Sequence, residues 1–167
     1  MGRAVGLIIK HGLVYGGVAT GYLLLLILTL SPRVWGCADY PQAVEDKVPP
    51  QTKREKLAAL IVGIPWLLFA LAYPVASTFM IKAVLGGEIS LLVAIPTPFA
   101  CFALFTFGDL GLLDWLLISK LTPKWVMIPG TVAEDCRDFS EHYRAHGKSA
   151  VFMAVLCAGI GLVAYLT

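Results

Sequence analysis

The chain has 167 residues, 58% of them hydrophobic and 14% charged, with a formal net charge of +2, against roughly 25% charged residues in a soluble domain. A mean hydropathy of +0.79 places it among integral membrane proteins, and the positive charge is too small to suggest a nucleic-acid partner, so none is expected. The length suits a single membrane domain, residues 1–167, without internal repeats or the inverted halves of a transporter.

Four segments are long and apolar enough to cross a bilayer, which takes about 20 residues of helix. The first, GLVYGGVATGYLLLLILTL, covers about residues 12–30. It is too long for a signal-peptide core and has no Ala-x-Ala site behind it, so it reads as a retained helix. Gly12, Gly16 and Thr20 recur every four residues, as do Gly17 and Gly21, a small-residue pattern that lets helix backbones approach closely. Ala154, Ala158 and Gly161 offer matching small positions near the C-terminus, so internal packing is the plain reading and self-association the sharper one.

A loop of about 31–56 follows, SPRVWGCADYPQAVEDKVPPQTKREK, whose four prolines argue against a regular element. Trp35 and Tyr40 are suited to anchoring its start at a membrane interface. The second span, about 57–81, contains Pro65 and Pro74, which should kink it without ending it, because neighbouring groups can satisfy the freed carbonyls. The third covers about 89–107 and the fourth about 150–166, leaving a second long loop at 108–149.

Most lysines and arginines fall in these two loops. By the positive-inside rule the long loops are cytoplasmic and both termini lie outside a cell membrane, with Lys10 pulling the other way. Cys37, Cys101, Cys136 and Cys157 are scattered, with no Cys-x-x-Cys pair, and read as small apolar packers.

The second loop concentrates the chemistry. Asp109 follows Gly108 where the third span should leave the bilayer, and the default expectation is an N-cap for a new helix over LGLLDWLL. An unbroken helix would instead carry Asp109 deeper, where an ionisable group signals function. Asp114 lies five residues on, about 140° further round an α-helix, so one α-helix cannot present both carboxylates as a pair. Trp115 and Trp125 suit the headgroup level.

In TVAEDCRDFSEHYRAHGKS, Pro129-Gly130 signals a turn, Thr131 and Glu134 make a T-x-x-E capping box, and Gly147 is a natural helix terminator. The pattern predicts an amphipathic helix over about 132–146, lying in the cytoplasmic interface. Val132, Cys136, Phe139 and Tyr143 would form its apolar stripe, while Arg137, Arg144 and Lys148 would reach lipid headgroups. Glu134, Asp138, His142 and His146 fall at successive fourth positions on the remaining face. That spacing is the default of any solvated polar face. It also allows His142 and His146 to chelate a divalent metal beside Asp138, with Asp109, Asp114 or Glu141 as a further ligand.

The expected architecture is therefore an all-α integral membrane protein of four transmembrane helices plus one interfacial helix. Three functions fit it. The leading one is a multipass protein that acts by binding, as an accessory subunit of a membrane partner or as a homo-oligomer among membrane lipids. The alternative is a membrane-embedded enzyme in which Asp109, Asp114, Asp138, His142 and His146 act on a lipid-like or quinone-like substrate. A small oligomeric transporter or channel is the third.

Overall fold

The computed structural model describes residues 2–36 and 40–167, apart from the side chain of Glu141; Cys37 lies outside the described residues. All regular elements among them are helical. Four helical stretches have the length and apolarity to cross a membrane: Gly2–Thr29, Lys53–Val84, Leu91–Leu121 and His142–Leu166.

Helix α1 (Gly2–Thr29) begins ten residues before the apolar run expected from the sequence. Two single turns follow, α2 (Pro32–Trp35) and α3 (Gln42–Glu45), each started by proline chemistry in the loop expected to be irregular. Helix α4 (Lys53–Val84) opens on a reciprocal capping box between Thr52 and Glu55.

Pro65 and Pro74 both lie inside α4. Pro74 cannot donate to the carbonyl of Ala70, four residues back. The hydroxyl of Tyr15, on α1, donates to that oxygen at 3.3 Å. Tyr22, also on α1, donates to Val62 O at 2.8 Å, whereas the carbonyl that Pro65 leaves without its helical donor is that of Ile61. For Pro74 the expectation that a neighbouring helix would satisfy the freed carbonyl is met, and the two tyrosine bonds fasten α1 to α4.

The next candidate span is assembled from three pieces. A turn, α5 (Leu91–Ala94), meets α6 (Pro96–Thr106) at Ile95, and α6 runs directly into a π-helical segment, Phe107–Leu121. Asp109 is therefore no N-cap: the helix continues through it, and the apolar LGLLDWLL is wound into the same span. The π segment stops at Thr122, whose left-handed backbone (φ 40°) precedes Pro123.

The separate interfacial helix over 132–146 is not formed. Ala133–Cys136 is a single 3-10 turn, and α7 runs unbroken from Ser140 to Leu166, with Gly147 in its interior. The expected T-x-x-E box fails because Thr131 Oγ1 donates to Ile128 O and Asp135, not Glu134, accepts the Val132 N–H. Asp138 Oδ1 accepts from Ser140 N at 2.9 Å in a local turn just ahead of α7, whose N-cap is Phe139. The apolar stripe dissolves accordingly: Cys136 is buried beneath loop one, whereas Val132 and Tyr143 are exposed.

Packing explains the glycines. A Cβ on Gly12 or Gly16 would meet the backbone of Ala100 or Leu104 on α6 at about 3.1 Å, and one on Gly108 would strike Thr20 Oγ1 at 2.2 Å. Gly12, Gly16 and Thr20 thus form one α1 seam against α6 and the π segment. Gly17 and Gly21 face open space. Gly161 packs on Ile95 rather than on α1, and Ala154 and Ala158 are exposed, so the two small-residue stripes do not meet.

The core has an aromatic centre around Tyr15, stacked on Phe69 with a centroid separation of 5.3 Å and edge-on to Phe102 and Phe105. Cys101 and Cys157 are buried in the same cluster, as expected of small packers. At one end, Ile81, Ile89, Ala94 and Ala164 close the bundle near its termini. At the other, the two long loops lock together. Tyr40 donates its hydroxyl to Val126 O, Lys47 Nζ pairs with Asp135 at 2.7 and 2.8 Å, and Val44, Ile118, Ile128 and Cys136 form a shared apolar layer. Arg33 braces loop one through a two-pronged ion pair with Glu55, at 2.5 and 3.1 Å, and bonds to the carbonyls of Pro49 and Pro50.

Candidate functional site

Loop one covers a cavity of about 590 Å³ at this end of the bundle. Its apolar walls come from Leu23 and Leu26 of α1, Val62 and Trp66 of α4, and Phe105 of α6. Its polar lining is Asp109 and Asp114 of the π segment, His142 and His146 of α7, and Gln42, Glu45 and Gln51 of loop one.

Helical winding decides why the two aspartates share this space. With i→i+4 bonding, residues five apart diverge by about 140°. In a π-helix the N–H bonds to the carbonyl five residues back, so residues five apart lie one above the other. Ligand-type atoms of Asp109, Asp114 and His146 all fall within 4.8 Å of one another. The sequence expectation that one helix could not pair these carboxylates is corrected by the wider winding.

Helix α7 supplies the histidines from the facing side. Its unbroken course puts His142 and His146, one turn apart, against the π segment. His146 Nε2 is 3.1 Å from Asp114 Oδ2 and 3.7 Å from Asp109 Oδ2. His142 Nδ1 is 3.3 Å from the same Asp114 oxygen, and Phe139 stacks on its ring at 5.7 Å. An ionised carboxylate only accepts hydrogen bonds, so a ring nitrogen bonded to Asp114 is the donor in the tautomer that makes that bond. In the tautomer whose Nδ1 donates to Asp114, the Nε2 of His142 is an acceptor. That atom is buried without a hydrogen-bond partner among the described residues, on a residue only 3% exposed.

The chain matches no family model, no curated protein and no solved structure.

Four of the five acid/base candidates, Asp109, Asp114, His142 and His146, therefore line one cavity. Asp138 does not join them. It is exposed and committed to the start of α7, so the ligand trio of His142, His146 and Asp138 expected from i, i+4 spacing is not brought together. The reason is the helix boundary: a helix beginning at Ser140 leaves Asp138 outside the face it would have shared. Glu141 as a further ligand lies outside the described side chains. His11 sits at the opposite end of the bundle, 3.4 Å from the Tyr73 hydroxyl.

Arg137 pairs with Glu134 at 3.4 Å, both well exposed, and Arg144 and Lys148 are exposed on the first turns of α7. The three cations no longer share a helical stripe, because Arg137 precedes the helix. Outside the spans, the Lys47 ammonium and the Val132 N–H hold the Asp135 carboxyl below its ordinary value, and hydrogen bonds from Ser140 do the same for Asp138.

Loop one was read for its prolines, and its part in the cavity was missed. Trp35, Tyr40, Gln42, Glu45 and Gln51 all line the space. The one available signal was the pair of aromatics Trp35 and Tyr40, which the sequence placed at an interface but could not aim at the second loop.

A site of this composition can orient and exchange protons. Asp114 fixes both imidazoles, as a carboxylate behind a histidine does in acid/base centres. With oxygen and nitrogen donors this close, it also has the donor set of a divalent-metal centre.

Proposed function

We propose that this protein is a membrane-embedded enzyme whose Asp109–Asp114–His142–His146 centre performs proton-transfer chemistry on a lipid-like or quinone-like substrate. The observation that carries the reading is the convergence of two carboxylates and two imidazoles in a half-apolar cavity. A purely binding accessory subunit needs no such cluster, and its polar side chains would be expected to point separately into water. Cavities of roughly 300–1,000 Å³ suit small organic ligands, and the 590 Å³ here is polar on the π-segment side and apolar between α1 and α4. A second, almost wholly apolar recess of about 490 Å³ lies further along α4 and α7, between Val75, Phe79, Phe152 and Val155. It offers room for a hydrocarbon tail.

In this reading the four long helices cross the membrane, with the two interlocked loops on the cytoplasmic side and both termini outside, as the distribution of Lys and Arg supports. Arg144 and Lys148 then lie at headgroup level beside the cavity. The centre sits where an amphipathic molecule can offer its head to Asp114 and His142 and keep its tail in the apolar phase.

The test is a lipid-profile comparison. Purified protein in liposomes of total membrane lipid extract, with added quinones, is incubated and the lipids are resolved by mass spectrometry. Wild type should convert at least one lipid or quinone class, and His146→Ala or Asp114→Asn should slow that conversion by about 10²–10⁴-fold, the usual contribution of a positioned acid/base group. Identical profiles for wild type and both variants would refute the enzymatic reading.

A further inference from the structure

We infer that Asp109, Asp114 and His146 form a divalent-cation site, with His142 holding a water or substrate group bound to the ion. The inference uses the same cavity as the enzymatic reading but does not depend on turnover.

Spacing is the first argument. Zinc takes carboxylate oxygen and imidazole nitrogen at about 2.0–2.2 Å, so two ligands at right-angled to tetrahedral separation lie roughly 3.0–3.5 Å apart. His146 Nε2 is 3.1 Å from Asp114 Oδ2 and 3.7 Å from Asp109 Oδ2. With His146 Nε2 free of hydrogen, side-chain adjustment brings the three ligand atoms, which already lie within 4.8 Å of one another, around one ion. The donors come from two elements, the π segment and α7, which the fold already presses together.

Charge is the second. The cavity is lined by three carboxylates, Glu45, Asp109 and Asp114, and by no lysine or arginine among the described residues. Arg33, in the first long loop, is committed to Glu55 and the Pro49 and Pro50 carbonyls. Like charges facing a poorly solvated space repel strongly, and a bound divalent ion converts that repulsion into attraction.

The buried, unpartnered Nε2 of His142 is the third and independent observation. Leaving such an atom unsatisfied is unfavourable, and a ligand in the cavity would satisfy it. A metal-bound water is a strong donor and matches an acceptor on this wall. The other ring nitrogen braces Asp114, as outer groups commonly orient a carboxylate ligand. Two oxygens and one imidazole, without thiolate, suit manganese, ferrous iron or zinc rather than a soft ion.

The experiment uses the full chain in detergent micelles, stripped with chelator and titrated with Mn²⁺ followed by electron paramagnetic resonance, then with Zn²⁺ in competition. One equivalent should bind. Asp109→Asn and His146→Gln should each weaken binding at least about 100-fold, and His142→Phe by about 10–100-fold, as for loss of a supporting group. Asp138→Asn, outside the cavity, should bind as wild type. Because Asp114→Asn removes a partner of both histidines and could prevent folding, the half-buried His146 and Asp109 carry the decision, with thermal melts confirming folded protein. Binding well below one equivalent, or affinity unchanged in Asp109→Asn and His146→Gln, would overturn the site. Tight binding by a protein that leaves every lipid unchanged would uphold the site and remove the enzymatic reading.

Discussion

Replacing Tyr15 by Phe removes one oxygen from the centre of the bundle and leaves its ring contacts in place. The ring packs against Phe69, Phe102 and Phe105, while the hydroxyl serves the Ala70 carbonyl that Pro74 cannot serve. A neutral hydrogen bond contributes about 0.5–1.5 kcal/mol net, and bonds between membrane helices average about 0.6 kcal/mol. At 3.3 Å this one is long, so the expected loss is about 0.5–1 kcal/mol. The decisive comparison is a double-mutant cycle with Pro74→Ala. Alanine restores an N–H four residues after Ala70, and the carbonyl then has its own helical donor, so Tyr15→Phe should cost almost nothing in that background. Reversible unfolding in mixed micelles, read by circular dichroism, measures the four stabilities. If Tyr15→Phe costs the same with Pro74 present or absent, the hydroxyl is not compensating for the proline and the reasoning fails.

Gly16→Leu should destabilise the fold by about 1–3 kcal/mol, as overpacking does, because its Cβ already meets Leu104 at 3.1 Å; Gly17→Leu, facing open space, should be near neutral in the same melts. The Asp135 carboxyl is held below its ordinary value of 3.8 by Lys47, so its contribution to stability is complete above that value and is lost as pH falls through the lowered one. Lys47→Met should therefore flatten the acid limb of a stability profile recorded below about pH 4, and an unchanged limb would exclude the pair as its cause. In cysteine-accessibility labelling of intact cells, a single cysteine at position 46 should be protected and one at position 88 reachable from outside; the reverse pattern would invert the proposed orientation.

The four apolar runs were legible because each is longer than any buried soluble helix requires, and Pro65 and Pro74 were readable as tolerated kinks. What escaped was winding. Nothing in FGDLGLLDWLLISKL distinguishes i→i+5 from i→i+4 bonding, yet that difference alone turns Asp109 towards Asp114. The helix start near Ser140 was obscured for a related reason. Thr131, Glu134 and Gly147 satisfy local capping rules, but Asp135 is recruited by Lys47, 88 residues earlier, and a tertiary ion pair is invisible to a local pattern. His142 and His146 were identified by spacing, and their partners were not, because Asp138 matched the same spacing while the true neighbours came from another helix.

The clasp between the two long loops also has a history in time. Lys47 must wait for Asp135, 88 residues further along the chain, which at a synthesis rate of about 5–20 residues per second is a delay of roughly 4–18 s. Arg33 finds Glu55 after only 22 residues. Loop one is thus braced on its own helix early and roofed onto the second loop late, after the π segment has been made. A nascent chain that stops before the π segment carries the first two long helices but no cavity, and the carboxylates and imidazoles can be brought together only after His146 has been made.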